Sequence, residues 1–178
     1  MVCRAIRQGI IDLAIGSTIN WSPQVRQLNL FSLPFLMPDY KAIDALTRGG
    51  VGRQVFQILD KAGVVPLAWG ENGFRELSNS KGAIATPADM KGKKFRVVGS
   101  PIFIDTFTAL GANPTQMSFA GSGNEALKQI EAQGVTVTHL TPAQIKAFQA
   151  ASKPVYDKWA GQIGRDLVKA AEASIAKR

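Results

Sequence analysis

Two arginines are the residues of this chain best suited to chemistry. Arg75 lies in NGFREL and Arg96 in KKFRVVGS, and each run reads as a short β-strand with small or turn-forming residues beside it. A guanidinium is a planar fork of five donors that matches a carboxylate in a bidentate way. Two forks on adjacent strands can hold one small organic acid. An arginine inside a strand such as KFRVV needs a carboxylate partner or a route to solvent, because strands of a parallel sheet are usually apolar on both faces. Within the chain, Glu71 and Asp105 are the alternative partners for Arg96. For Arg75 the alternative is an exposed place at a sheet edge. Trp69, Glu71 and Asn72 end the strand before Arg75, and ligands of open α/β sheets bind beyond the carboxyl ends of strands.

Other chemistry finds little material. The chain has one cysteine, Cys3, and one histidine, His139. Neither an intramolecular disulfide nor a thiolate metal site can be built from them. No G-x-S-x-G, no P-loop lysine motif and no G-x-G-x-x-G after a strand occurs, so no nucleophile–base pair can be drawn. Gly121-Ser122-Gly123 is not a phosphate loop, since no Lys-Ser/Thr follows it. The expectation is a binding protein without cofactor or metal, and not an enzyme.

The charge balance raises one further class. With 21 Lys and Arg against 13 Asp and Glu, the net charge is +8. Nucleic-acid binders are basic too. Here, however, the cations are scattered singly or in pairs. Lys91, Lys93 and Lys94 form the one tight group, and no aromatic stacking platform interleaves with it, as single-strand binders require. The scattered cations read either as a solvated basic surface or as a positive potential that raises the local concentration of anionic small ligands. No run approaches the roughly 20 apolar residues that span a bilayer. Nor does Met1-Val2-Cys3-Arg4 open an apolar secretory leader.

The elements that must position the arginines follow from periodicity and punctuation. A helix ends near Gln8-Gly9, and Ile10 to Ile15 is an apolar run of buried-strand type. Ser22-Pro23 reads as a helix start. Leu28 to Met37 is apolar and broken by Pro34 and Pro38. Asp39 caps a helix to about Arg48; Gly49-Gly50 interrupts it; helical spacing resumes from Val51 to Ala62, closed by Gly63. Strands are predicted at Val64–Trp69, Phe74–Asn79, Lys94–Val98, Asn113–Phe119 and Val135–Leu140. Short helices start at Thr86-Pro87, with Asp89 in the first turn, and at Ser100-Pro101, where Ile102, Phe103, Thr106, Phe107 and Leu110 form an apolar face. Asn124 caps a helix to Gln133, and Thr141-Pro142 opens a last helical region to about Ala176, which Pro154 should end or kink near Ser152. This alternation predicts an α/β fold with a mostly parallel sheet flanked by helices.

Beside that reading stands a resemblance. The order VPLAWGENGFRELSNSK, then TPADMKGKKFRVVGSPIFIDTFTALGANPTQMSFA, resembles the central signature of the solute-binding proteins of TRAP transporters. RAIRQGIIDLAIGS and LNLFSLPFLMPDYKAIDAL resemble the segment before it, and NEALKQIEAQGVTVTHLTPAQIKAFQAASKPVYDKWAGQIG the C-terminal helices. The resemblance implies a two-lobed periplasmic binding protein that closes over an organic acid and delivers it to membrane permease subunits. It implies that Arg96 makes the main salt bridge to the ligand carboxylate and Arg75 the second polar contact. The loop carrying Ser17, Thr18, Trp21 and Gln24 is implied to face the cleft from the first lobe.

Two departures from the family pattern shape the remaining expectations. The first strand, helix and second strand of the family have no counterpart before Met1. After Phe119 the pattern jumps across Gly121-Ser122-Gly123, a flexible-linker composition, to the late helix. The expectation is an engineered fragment, with residues 1–62 a remnant of the first lobe and residues 63–178 the second lobe. Its ligand binding should be weak or absent. The alternative is a structural α/β scaffold or isolated-lobe folding module. Exposed first-lobe edges should favour homo-oligomers.

Overall fold

The computed structural model describes residues 2–80, 82–116 and 138–177. The linker at residues 121–123, the helix expected from Asn124 and the end of the strand expected at Phe119 lie outside them. The chain divides into two compact units, residues 1–69 with 154–178, and residues 70–153. These differ from the 1–62 and 63–178 lobes expected. The end of the chain joins the first unit because its last helix packs on two early ones.

The first unit opens with α1, Val2–Arg7. The strand expected at Ile10 to Ile15 does not form. Its backbone is irregular, and Ile10, Leu13 and Ile15 are 69%, 74% and 106% exposed. An apolar strand is stable only when ladder partners flank it, and no described segment pairs with this one. Helix α2, Thr18–Trp21, follows, and then a 3-10 helix, Arg26–Ser32, that buries Leu28 and Leu30. Helix α3, Tyr40–Thr47, begins where expected, because Oδ1 of Asp39 accepts from the Ala42 N–H at 2.9 Å. Helix α4, Gly50–Lys61, buries Val51, Val55 and Leu59, one turn apart along one face. The corner between α3 and α4 is tight. A Cβ at Gly52 would run into the backbone carbonyl of Thr47, so only glycine allows the approach.

Residues 64–80 are irregular and pair with nothing described, so the strands expected at Val64–Trp69 and Phe74–Asn79 do not form among the described residues. A short 3-10 helix, Pro87–Met90, is held by Asp89, whose Oδ2 accepts from the Thr86 N–H at 2.7 Å and the Thr86 hydroxyl at 2.8 Å. Strand β1, Lys94–Val97, then leads through α5, Pro101–Ala109, to β2, Asn113–Gln116. The two strands are parallel, with Phe95 beside Pro114 and Arg96 beside Thr115. This strand–helix–strand crossover is the expected α/β unit in its smallest form. Its core is Met90, Phe95, Leu110, Ala112 and Phe148, against which Phe107 and Leu140 pack.

Phe148 comes from α6, Pro142–Ile163. The start is a reciprocal cap: Oε1 of Gln144 accepts from the Thr141 N–H at 2.7 Å, and Oγ1 of Thr141 accepts from the Gln144 N–H at 3.3 Å. Residues 138–140, the described part of the strand expected at Val135–Leu140, are not a strand. Nor does Pro154 end the helix near Ser152. Residues 150 and 154 are both exposed, so water can take the carbonyl that loses its donor, and α6 runs on to Ile163. It stops at Gly164, whose φ of 114° few other residues adopt. Helix α7, Arg165–Ala176, buries Leu167, Val168 and Ala171 and packs on α3 and α4.

Candidate functional site

The eight residues expected to touch a ligand fall into both units. Arg96, Arg75, Glu71 and Asn72 belong to the second; Trp69, Trp21, Ser17 and Gln24 belong to the first.

Arg96 sits in β1 between buried Phe95 and Val97. The strand alternates, so Lys94 and Arg96 share its exposed face. This corrects the expectation of a strand covered on both faces: the pair β1–β2 has one open face, and Arg96 reaches solvent through it. Arg75 is placed differently. It lies in the irregular extended run, not on a strand, so no ladder fixes its direction. Its guanidinium carbon is instead 5.0 Å from the centroid of the Phe103 ring, within cation–π range. Phe103 stands in the first turn of α5 and is half-buried.

The two arginines also feel one another. The pKa of Arg75 is lowered, first by burial and second by the positive charge of Arg96. The residue as a whole is exposed, so the desolvation is confined to the part of the group facing the protein. Each arginine carries a positive charge on a planar fork of donors, the chemistry that a carboxylate matches.

Glu71 and Asn72 are exposed in the run that leads to Arg75. Trp69 is half-buried. It packs in the first unit between Phe56, with centroids 4.8 Å apart and near-parallel rings, and Phe31, at 4.9 Å and tilted. Its Nε1 is buried without a hydrogen-bond partner among the described residues. Trp21 closes α2 and lies over Gly16, where any Cβ would strike the indole. Ser17 is the N-cap of α2 but its side chain makes no capping bond, and Gln24 is exposed. His139 is exposed. Among the described residues, no three His, Cys, Asp or Glu side chains gather as a metal site would require. No helix of the described residues is long and apolar enough to cross a membrane.

Sequence reasoning assigned Phe103 to the apolar face of α5 and missed its contact with Arg75. The two residues are 28 positions apart, and only the fold brings them together. A cue existed: an aromatic in the first turn of a helix that follows an arginine-bearing strand.

The comparisons with known proteins agree with one another. The model of the family "DctP: Bacterial extracellular solute-binding protein, family 7" matches residues 1–122 and 121–162, two stretches that meet at Gly121-Ser122. A TRAP periplasmic solute-binding protein from Ralstonia eutropha H16, solved with bound (S)-2-acetolactate, superposes with a TM-score of 0.93 at 47% identity, covering 99% of this chain and 83% of that one. The 2,3-diketo-L-gulonate-binding periplasmic protein YiaO of Escherichia coli is 37% identical over 115 residues, 65% of this chain and 35% of its own. The C4-dicarboxylate-binding periplasmic protein DctP of Vibrio cholerae is 34% identical over 140 residues, 78% of this chain and 42% of its own. The chain thus spans between a third and a half of the length of these curated relatives.

Proposed function

We propose, since the chain belongs to the DctP family of bacterial extracellular solute-binding proteins, that it is the ligand-binding component of a TRAP transporter. Its ligand is a small organic acid, held through arginine–carboxylate contacts by Arg96 and Arg75. The observation that carries this reading is the family match over most of the chain, beside two arginines in one unit, one of them seated over the Phe103 ring. The relatives lend support: acetolactate, diketogulonate and C4-dicarboxylates are named for them, and each carries a carboxylate. Glu71 and Asn72 are further candidates in the same unit as the arginines, and Ser17, Trp21, Gln24 and Trp69 are the candidates in the first unit. The periplasm is the place of action, and membrane permease subunits are the partners that receive the ligand. No catalysis is involved; closure over the ligand is a population shift toward the state with more contacts.

The two family matches meeting at Gly121-Ser122 support a further reading, that an internal family segment is replaced here by the Gly-Ser-Gly linker. In that case the clamp is weakened, because affinity depends on many contacts whose geometry must be held. A second reading, a folded α/β module without ligand function, is favoured by one observation: the strand expected to carry Arg75 does not form.

Thermal melts with a panel of mono- and dicarboxylates decide between the two. Ligand binding to the folded state alone adds RT ln(1 + [L]/Kd), about 2.7 kcal/mol at one hundred times Kd. A selective rise in Tm that Arg96→Ala abolishes is expected. A cooperative melt that no acid moves would overturn the clamp and leave the module.

A further inference from the structure

The contact between Arg75 and Phe103 carries more than packing. Arg75 comes from a run with no ladder to orient it, and it sits in the field of a second guanidinium that pushes it away. What stands over it is the ring of Phe103, 5.0 Å from the guanidinium carbon. The ring itself is well anchored. The Phe103 N–H donates to the Ser100 carbonyl at 3.1 Å, and the adjoining Ile102 is fully buried, so the first turn of α5 is fixed in place.

We propose that Phe103 is a positioning residue for ligand binding: its ring holds the Arg75 guanidinium in the orientation that meets a ligand carboxylate. This rests on the reading of Arg75 as a carboxylate contact. The chemistry is directional. A guanidinium is flat, and all its N–H bonds lie in its plane. A guanidinium lying flat over a ring uses the face of the cation and keeps its in-plane donors for a ligand. The carboxylate that Arg75 receives therefore approaches edge-on, coplanar with the guanidinium. The ring also excludes water from one face, which strengthens the remaining hydrogen bonds. Attraction of the cation to the ring offsets part of the repulsion from Arg96 before any ligand arrives.

The test pairs calorimetry with NMR on the full chain, using (S)-2-acetolactate and succinate as probes. Phe103→Leu keeps an apolar side chain and removes the π face; Phe103→Tyr keeps the face. The expected result is binding weakened about five- to tenfold in F103L and within about twofold of the parent in F103Y. In the ligand-free protein, relaxation of the Arg75 Nε–H should report a more mobile guanidinium in F103L and an unchanged one in F103Y. In an Arg75→Lys background, F103L should cost far less, since the flat cation is gone. Should F103L fail to fold, Phe103→Met serves in its place. Equal binding, or equal Arg75 mobility, in parent and F103L overturns the proposal. If the parent binds neither acid, the clamp reading fails by itself, and the relaxation measurement still decides whether Phe103 holds Arg75.

Discussion

Tyr156 on α6 donates its hydroxyl to Oε1 of Glu172 on α7 at 2.6 Å. The bond ties the last two helices of the first unit together. It also makes the tyrosine hard to ionise. Its pKa is raised well above the ordinary 10.0, first by burial, then by the hydrogen bond to Glu172 and the negative charges of Glu172 and Asp157. A raised folded-state value means that the neutral form is favoured in the folded protein. The stabilisation is fully present below the unfolded value and is lost as pH rises from about 10 toward the folded value. Urea midpoints should therefore hold from pH 7 to 9 and drop above pH 10. In Tyr156→Phe the alkaline drop should shrink, with a loss of about 0.5–1 kcal/mol at neutral pH. An identical alkaline limb in both proteins would show that Tyr156 is not its source.

The aromatic trio of Phe31, Phe56 and Trp69 gives a second prediction. Trp69 was expected among the residues touching the ligand, yet its ring is engaged by two others. Trp69→Ala should destabilise the fold by about 3 kcal/mol, as large-to-small core changes do. Trp69→Phe should recover most of that. A melt unchanged in W69A would return Trp69 to the surface.

Gly52 supplies a third. Its would-be Cβ meets main chain at Thr47, not a side chain that can turn aside. Gly52→Ala should therefore cost about 3 kcal/mol, the upper range of overpacking, despite alanine's better helix propensity. The neighbouring Gly50→Ala meets only the tip of Arg53 at 4.0 Å and should be neutral or mildly stabilising. Equal Tm values for the two variants would refute this account of the corner.

For Arg96 the informative variant is the conservative one. Arg96→Lys keeps the charge and loses the fork. On the clamp reading, carboxylate affinity should fall about tenfold in R96K and further in R96A, measured by calorimetry. Equal losses in the two would mean that geometry contributes everything and charge nothing.

How much of this was legible in the sequence depends on the range of the interactions involved. Thr86, Asp39 and Thr141 were readable as helix starts, because a cap is settled within four residues. The parallel pair β1–β2 was readable from short segments bounded by turn residues on either side of a helix. Ile10 to Ile15 and Phe74 to Asn79 misled, because their apolar pattern states what the segment can do when neighbours are present, and strand formation is decided by the neighbours. Pro154 misled for the opposite reason: its cost was read as local, while the packed residues of α6 outweigh one missing hydrogen bond. Of the site, the two arginines were visible as types, Arg96 in a strand with one open face and Arg75 where a strand was expected and none forms. Phe103 was not, since its partner is distant in the chain.

The run Ile10 to Ile15 has one more consequence. An irregular, unpaired backbone with isoleucine and leucine side chains turned to solvent can be drawn into the cleft of a digestive protease. The helices α3 and α4, buried along one face, offer nothing comparable. Under limited digestion, the bond after Leu13 should break while the rest of the first unit is still whole. The earliest scar on this molecule would then be a missing N-terminal helix.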